Sequence, residues 1–253
     1  MFEKIYHEYL LYKNEQNRRD RYEGKESWYH ASGAGFCSRK LYFESVEKAE
    51  PTNPVNKSAM RKMALGTVLH EDIQNALIYY NNIKKDNINN NINKDYIVEH
   101  TDVTFDIEGE IELKEFNVRG YYDVVSKGSD NIGLFDIKTT ASFSWKQKFS
   151  RAFTNKQVNR NHFLQIGTYG IAVERTHGRL DEIAIIYYNK DTSAMRRVDV
   201  PLDYVKQAKR YWMAINEEHS KGLPGFQFGT SPAYAWCCNY CQFKDHCKPP
   251  SFK

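Results

Sequence analysis

The stretch Gly133-Leu134-Phe135-Asp136-Ile137-Lys138-Thr139 restricts this chain more than any other. Side chains in a strand alternate with period two, so Asp136 and Lys138 project from one face while Phe135 and Ile137 turn to apolar surroundings on the other. A carboxylate and an ammonium then share one small site. A solvated Asp-Lys pair on an edge strand fits the same residues, and such pairs are commonplace.

A second acid lies thirteen positions earlier, in Gly120-Tyr121-Tyr122-Asp123-Val124-Val125, on what reads as the preceding strand. Hairpin pairing can bring Asp123 beside Asp136. Two adjacent carboxylates repel and need a cation. Hard ions such as Mg²⁺ or Mn²⁺ prefer oxygen ligands and keep open positions for water and a phosphate oxygen. The pattern points to a hydrolytic site, with Lys138 offsetting charge that develops at phosphorus.

The surrounding sequence predicts a mixed α/β fold. Helical periodicity dominates to about Tyr80, with Ser38 as the N-cap of a helix through Val46 and a second helix over Met60 to Tyr80. Asn81 to Lys94 is rich in asparagine and poor in apolar residues, so it reads as a surface excursion or disordered loop. Strands are expected over Ile97 to Ile107, Phe116 to Ser126 and Ile132 to Thr139, separated by Glu/Gly and Lys-Gly-Ser-Asp turns. A helix over Asn161 to Glu174, strands over Ile183 to Tyr188 and Arg196 to Val200, and a helix over Leu202 to Ser220 follow. The chain of 253 residues suits a single unit: a helical part to residue 80, a core over 97–200, and a C-terminal part from 201 onward.

Two helical pairs add to the strand motifs. Gly66 and His70 stand one turn apart in the second helix, as do Gln165 and Tyr169 in the later one. Each pair also fits plain packing, with glycine permitting close approach. The net charge of +4, from 36 Lys and Arg against 32 Asp and Glu, permits nucleic-acid binding without requiring it. No apolar run approaches the length that spans a bilayer, and the expectation is a cytoplasmic protein. Of five cysteines, four fall between Cys237 and Cys247, where Cys238-x2-Cys241-x5-Cys247 suggests metal ligands rather than disulfides. Cys37 is the remaining candidate for a fourth ligand, and a register through Cys237 or His246 is an alternative.

In order, Gly66 to His70, Gly120 to Asp123, Asp136 to Thr139 and Gln165 to Tyr169 resemble the motifs of the RecB-like branch of the PD-(D/E)XK nucleases. The proline that names that superfamily is replaced by Tyr122, a departure common in the branch. The resemblance implies a restriction-endonuclease-like sheet flanked by helices. It makes His70, Asp123, Asp136 and the Ile137 carbonyl ligands of Mg²⁺ or Mn²⁺, and Lys138 the catalytic lysine. Gln165 and Tyr169 would hold DNA or the lysine in place.

The cysteine layout resembles the iron-sulfur subset, which includes CRISPR-associated exonucleases and AddB-type recombination nucleases. There a 4Fe-4S cluster, here on Cys37, Cys238, Cys241 and Cys247, ties the ends together, with zinc the lesser alternative and Cys237 spare. Such a staple, closing a loop of order 200 residues, would contribute roughly 5 kcal/mol, and its loss would unfold much of the protein. The implied activity is single-stranded DNA exonuclease, 5′ to 3′, in recombination, repair, or CRISPR or phage DNA processing. The other class of reading is a non-catalytic DNA-binding or assembly subunit beside an integrase or helicase. Trp145, Lys146, Lys148 and Arg151 interleave rings with cations, a pattern suited to single-stranded DNA, though equally a solvated basic loop. The chain lacks a Gly-x4-Gly-Lys-Ser/Thr phosphate loop, so it carries no evident motor.

Overall fold

The computed structural model describes residues 1–22, 28–90, 102–149, 160–227 and 235–248. Its centre is a sheet built on β3 (Val118–Lys127). Along one edge of β3 runs the antiparallel β2 (Thr104–Leu113). The other edge is shared by a short parallel β1 (Tyr29–His30) and by the antiparallel β4 (Ile132–Thr140). Parallel β5 (Glu182–Asn189) and antiparallel β6 (Met195–Val200) complete the order beyond β4. The sheet is therefore mixed, as the strand pattern predicts.

Helix α1 (Phe2–Tyr22) lies on α3 (Lys57–Asn90), which packs against β2 and β4. The short α2 (Ser38–Leu41) runs into a widened turn over Tyr42–Val46. Helix α4 (Ser142–Phe149) follows β4 directly. Helix α5 (Arg160–His177) packs across the central strands, and α6 (Asp203–Ser220) packs on α5. Short helices α7 (Ala235–Asn239) and α8 (Lys244–Cys247) follow.

The layers close for identifiable reasons. On α6 the buried residues Val205, Ala208, Trp212, Ile215 and His219 recur every three or four positions and form one apolar stripe. Trp212 is fully buried and its indole N–H donates to Thr168 Oγ1 at 2.9 Å, while that hydroxyl donates to the Leu164 carbonyl at 2.7 Å. Truncating such a residue to alanine costs about 3–5 kcal/mol. At the crossing, Gly167 lies so near α6 that a Cβ there would stand 2.4 Å from the Tyr204 carbonyl oxygen.

Several local expectations are corrected. Ser38 does not cap α2; Cys37 holds that position, and the buried Ser38 hydroxyl bonds to the Glu218 carboxylate and to His219 Nε2. The asparagine-rich stretch is helical to Asn90, and residues 91–101 lie outside the described residues. Asn81 explains part of this. Its side-chain amide donates to the Phe105 carbonyl at 2.7 Å and accepts from the Phe105 N–H at 3.0 Å, so it satisfies strand backbone as a neighbouring strand would. The Glu/Gly turn is absent too: β2 runs through Glu108-Gly109-Glu110 and reverses at Lys114–Asn117, where Asn117 takes a left-handed φ of 54°.

The cysteine centre is also corrected. Cys37, Cys238, Cys241 and Cys247 share one neighbourhood, but no three of their thiols come within 4.8 Å of one another among the described residues. Burial, together with the neighbouring thiols, pushes Cys238 and Cys241 up. Cys247 Sγ accepts from Arg39 Nε at 3.2 Å, and His246 Nε2 lies 2.9 Å from the Glu50 carbonyl. Neither the 4Fe-4S cluster nor its zinc alternative is supported, nor is a C-terminal cysteine-cluster loop. The C-terminal segment is docked by other means. The Thr52 and Asn53 amides donate to the Gln242 carbonyl at 2.9 and 3.0 Å, and Phe43 stacks on Phe243 at 6.0 Å.

Candidate active site

Strand register places the two acids. The antiparallel β3–β4 ladder pairs Val124 with Phe135, so its next step sets Asp123 opposite Asp136. Both carboxylates are buried. The Ile137 amide donates to Asp123 Oδ2 at 2.6 Å, which fixes the carboxylate plane and leaves Oδ1 toward His70 Nε2 at 3.7 Å. Burial, reinforced by the charge of Asp136, pushes Asp123 up to about 7.

Lys138 shares the Asp136 face, as period two requires. Its Nζ lies 2.9 Å from Asp136 Oδ1 and 2.8 Å from Oδ2, with the first contact well aligned. Burial works against the ammonium, but Asp136 and Asp123 outweigh it and raise the lysine. Lys138 is thus held as an ammonium that donates to Asp136.

Helix α3 delivers His70. A Cβ on Gly66 would sit 2.7 Å from Thr139 Oγ1, so glycine lets the helix close on β4 and carries His70 to the sheet one turn later. His70 Nε2 faces Glu108 Oε1 at 3.4 Å as well as Asp123 Oδ1. Desolvation opposes the imidazolium, yet Glu108 and Asp123 raise His70 on balance.

Glu108 is the member that sequence reasoning missed. It stands in β2 with a φ of 53°, a left-handed conformation uncommon outside glycine. Its contact with His70, opposed by burial and helped by Gln74, holds its carboxyl below the usual range. Gln74 Nε2 donates to Glu108 Oε1 at 2.6 Å and to the Asp123 carbonyl at 3.3 Å.

This donor set suits a hard divalent cation. His70, Glu108 and Asp123 each offer a ligand atom within 4.8 Å of the others. One further atom supports the fit: His70 Nε2 is buried without an aligned hydrogen-bond partner. A cation supplies what it lacks.

The remaining predicted residues fall on both sides of expectation. Gln165 and Tyr169 are buried, and Gln165 Nε2 donates to the tyrosine oxygen at 2.9 Å. Burial and then Asp136 push the Tyr169 hydroxyl upward. Lys148 is no loop cation, because it sits on α4 with its Nζ 5.6 Å from the centre of the Tyr187 ring, and burial lowers it to about 8. Tyr187, also missed, is in register with Lys138 and bonds to His162 Nδ1 at 2.8 Å. Trp145 packs edge-on against Phe149 at 4.7 Å and against the core, while Lys146 is exposed and Phe143, unremarked in the sequence, is 73% exposed. Arg151 lies outside the described residues.

Two buried acids on paired strands, a lysine held by one of them and a histidine brought in by a helix form a candidate metal-binding centre. Residues 79–248 match the family model described as PD-(D/E)XK nuclease superfamily, and the chain belongs to that superfamily of phosphodiester-hydrolysing enzymes. No curated protein matches the chain. A solved structure described as "Crystal structure of SSO0001" is similar over 97% of both chains, at 17% identity and a TM-score of 0.49. Among the described residues no helix is long and apolar enough to cross a membrane.

Proposed function

We propose that this enzyme is an exonuclease that degrades single-stranded DNA from the 5′ end with Mg²⁺ or Mn²⁺. The observation that carries the cation-dependent reading is the convergence of His70, Glu108 and Asp123 beside the Asp136–Lys138 pair. In this reading Asp136 and the Ile137 carbonyl join those three in holding the cation. The cation supplies Lewis acidity toward a phosphate oxygen and a water molecule.

The chain's own groups do the rest. The Ile137 amide keeps Asp123 oriented, and Asp136 holds Lys138 protonated at the site. Lys138 donates to the attacking water or the phosphate oxygens and offsets charge as the bond breaks. Gln165 and Tyr169, being buried, act by positioning the carboxylate wall and not by touching DNA. Exposed Phe143 and Lys146, one turn apart on α4, offer a ring for a base and a cation for a phosphate, which supports a single-stranded substrate. The 5′ polarity rests on the resemblance to RecB-like exonucleases. A role beside an integrase or helicase is compatible with the same chemistry.

The test uses linear single strands labelled at either end, a circular single strand and a duplex, each with Mn²⁺. Early release of the 5′ label, with the circle intact, is expected. Cutting of the circle would make the enzyme an endonuclease, and early release of the 3′ label would reverse the polarity.

A further inference from the structure

We propose that Gln74 is the positioning residue of the cation site, bridging Glu108 to the backbone of Asp123 from the same helix that presents His70. The inference rests on the cation-dependent reading above. Gln74 lies one turn beyond His70 on α3 and is buried. Its amide nitrogen has two hydrogens, and each has an acceptor: Glu108 Oε1 at 2.6 Å and the Asp123 carbonyl at 3.3 Å. Because both neighbours are acceptors, the nitrogen and not the oxygen must face the site.

Glu108 needs such a partner. Its left-handed backbone persists only where surrounding contacts enforce it. Its side chain is 51% exposed, so solvated rotamers compete with the one that faces His70. A neutral donor also suits the task. A lysine or arginine at this position would hold the carboxylate but neutralise charge the cation requires, whereas an amide orients it and leaves the charge in place. One side chain thereby couples all three members of the cation group: His70 through the shared helix, Glu108 through its carboxylate, Asp123 through its backbone.

The experiment is calorimetric titration of Mn²⁺ into the full chain without DNA, for the native protein, Gln74→Met, Glu108→Gln and the double variant, with melting curves to confirm folding. Gln74→Met is expected to weaken binding by about 10–100-fold. The double variant should lose less than the product of the two single losses, because Gln74 acts in part through Glu108. Native affinity in Gln74→Met, or losses that multiply in the double variant, would overturn the proposal. If Gln74→Met fails to fold, Gln74→Asn, which keeps the amide but shortens its reach, carries the same expectation. An Asp123→Asn control separates the two levels. Binding unaffected by that change would sink the cation reading itself, whereas binding it abolishes, with Gln74→Met unchanged, would sink only the role of Gln74.

Discussion

Asp123 carries the most consequential single-residue perturbation. An aspartate in an unfolded chain titrates near 3.9, while burial and Asp136 bring it to about 7 in the fold. Between those values the folded state binds more protons, so this group's contribution to stability is complete at low pH and is lost as pH rises toward 7. Raised His70 acts in the same direction, and lowered Glu108 in the opposite one. In chelator, the native protein should therefore lose melting temperature between about pH 4 and about pH 7 more steeply than Asp123→Asn does. Parallel curves would remove the argument. Lys138→Ala should lower turnover by about 10²–10³-fold while calorimetry finds Mn²⁺ affinity retained, since the lysine donates to substrate and binds no cation. Asp123, Asp136 and Lys138 were legible because strand period and hairpin pairing are local rules, and His70 because helical spacing is. Glu108 was not. Glu-Gly-Glu reads as a turn, and its role follows from a left-handed backbone and the β2–β3 register, neither of which its neighbours announce.

At the scale of elements, α3 and α4 show where local reading fails. Composition alone ends α3 near Tyr80, yet the Asn81 amide finds the Phe105 backbone and the helix continues. That partner lies on a distant strand, so no window of sequence contains it. In the stretch after β4, Trp145 among cations suits a single strand of DNA and equally a solvated basic loop. The stretch is a helix, and helical spacing turns Trp145 and Lys148 inward while Phe143 and Lys146 face out. Phe143→Ala should weaken single-stranded DNA binding by about 1–3 kcal/mol and leave the melting temperature unchanged, whereas Trp145→Ala should destabilise the fold. Fluorescence anisotropy with a labelled oligonucleotide and thermal melts check this, and a reversed pattern would return the stacking role to Trp145.

Across the whole molecule, the mixed order of the main strands and helices is legible in periodicity, and His70, Asp123, Asp136 and Lys138 lie together where α3 meets β3 and β4. The tie between the N- and C-terminal parts also exists, but it includes backbone hydrogen bonds from Thr52 and Asn53 to Gln242, the Phe43–Phe243 stack and the Arg39–Cys247 contact, and among the described residues no three thiols close to ligand distance. Cysteine spacing reports which residues can meet, not whether their sulfurs close to ligand distance. The net charge of +4 decides little, since the groups that matter for phosphate are local to β4 and α4. The most direct test of the cation-dependent centre is the rate of release from end-labelled single-stranded DNA against Mn²⁺ concentration, for the native protein and a folded Asp123→Asn variant. Cleavage should rise with Mn²⁺ in the native protein, stop in chelator, and be lost in the variant at every concentration. Native-rate cleavage by Asp123→Asn, or cleavage persisting in chelator, would contradict the account.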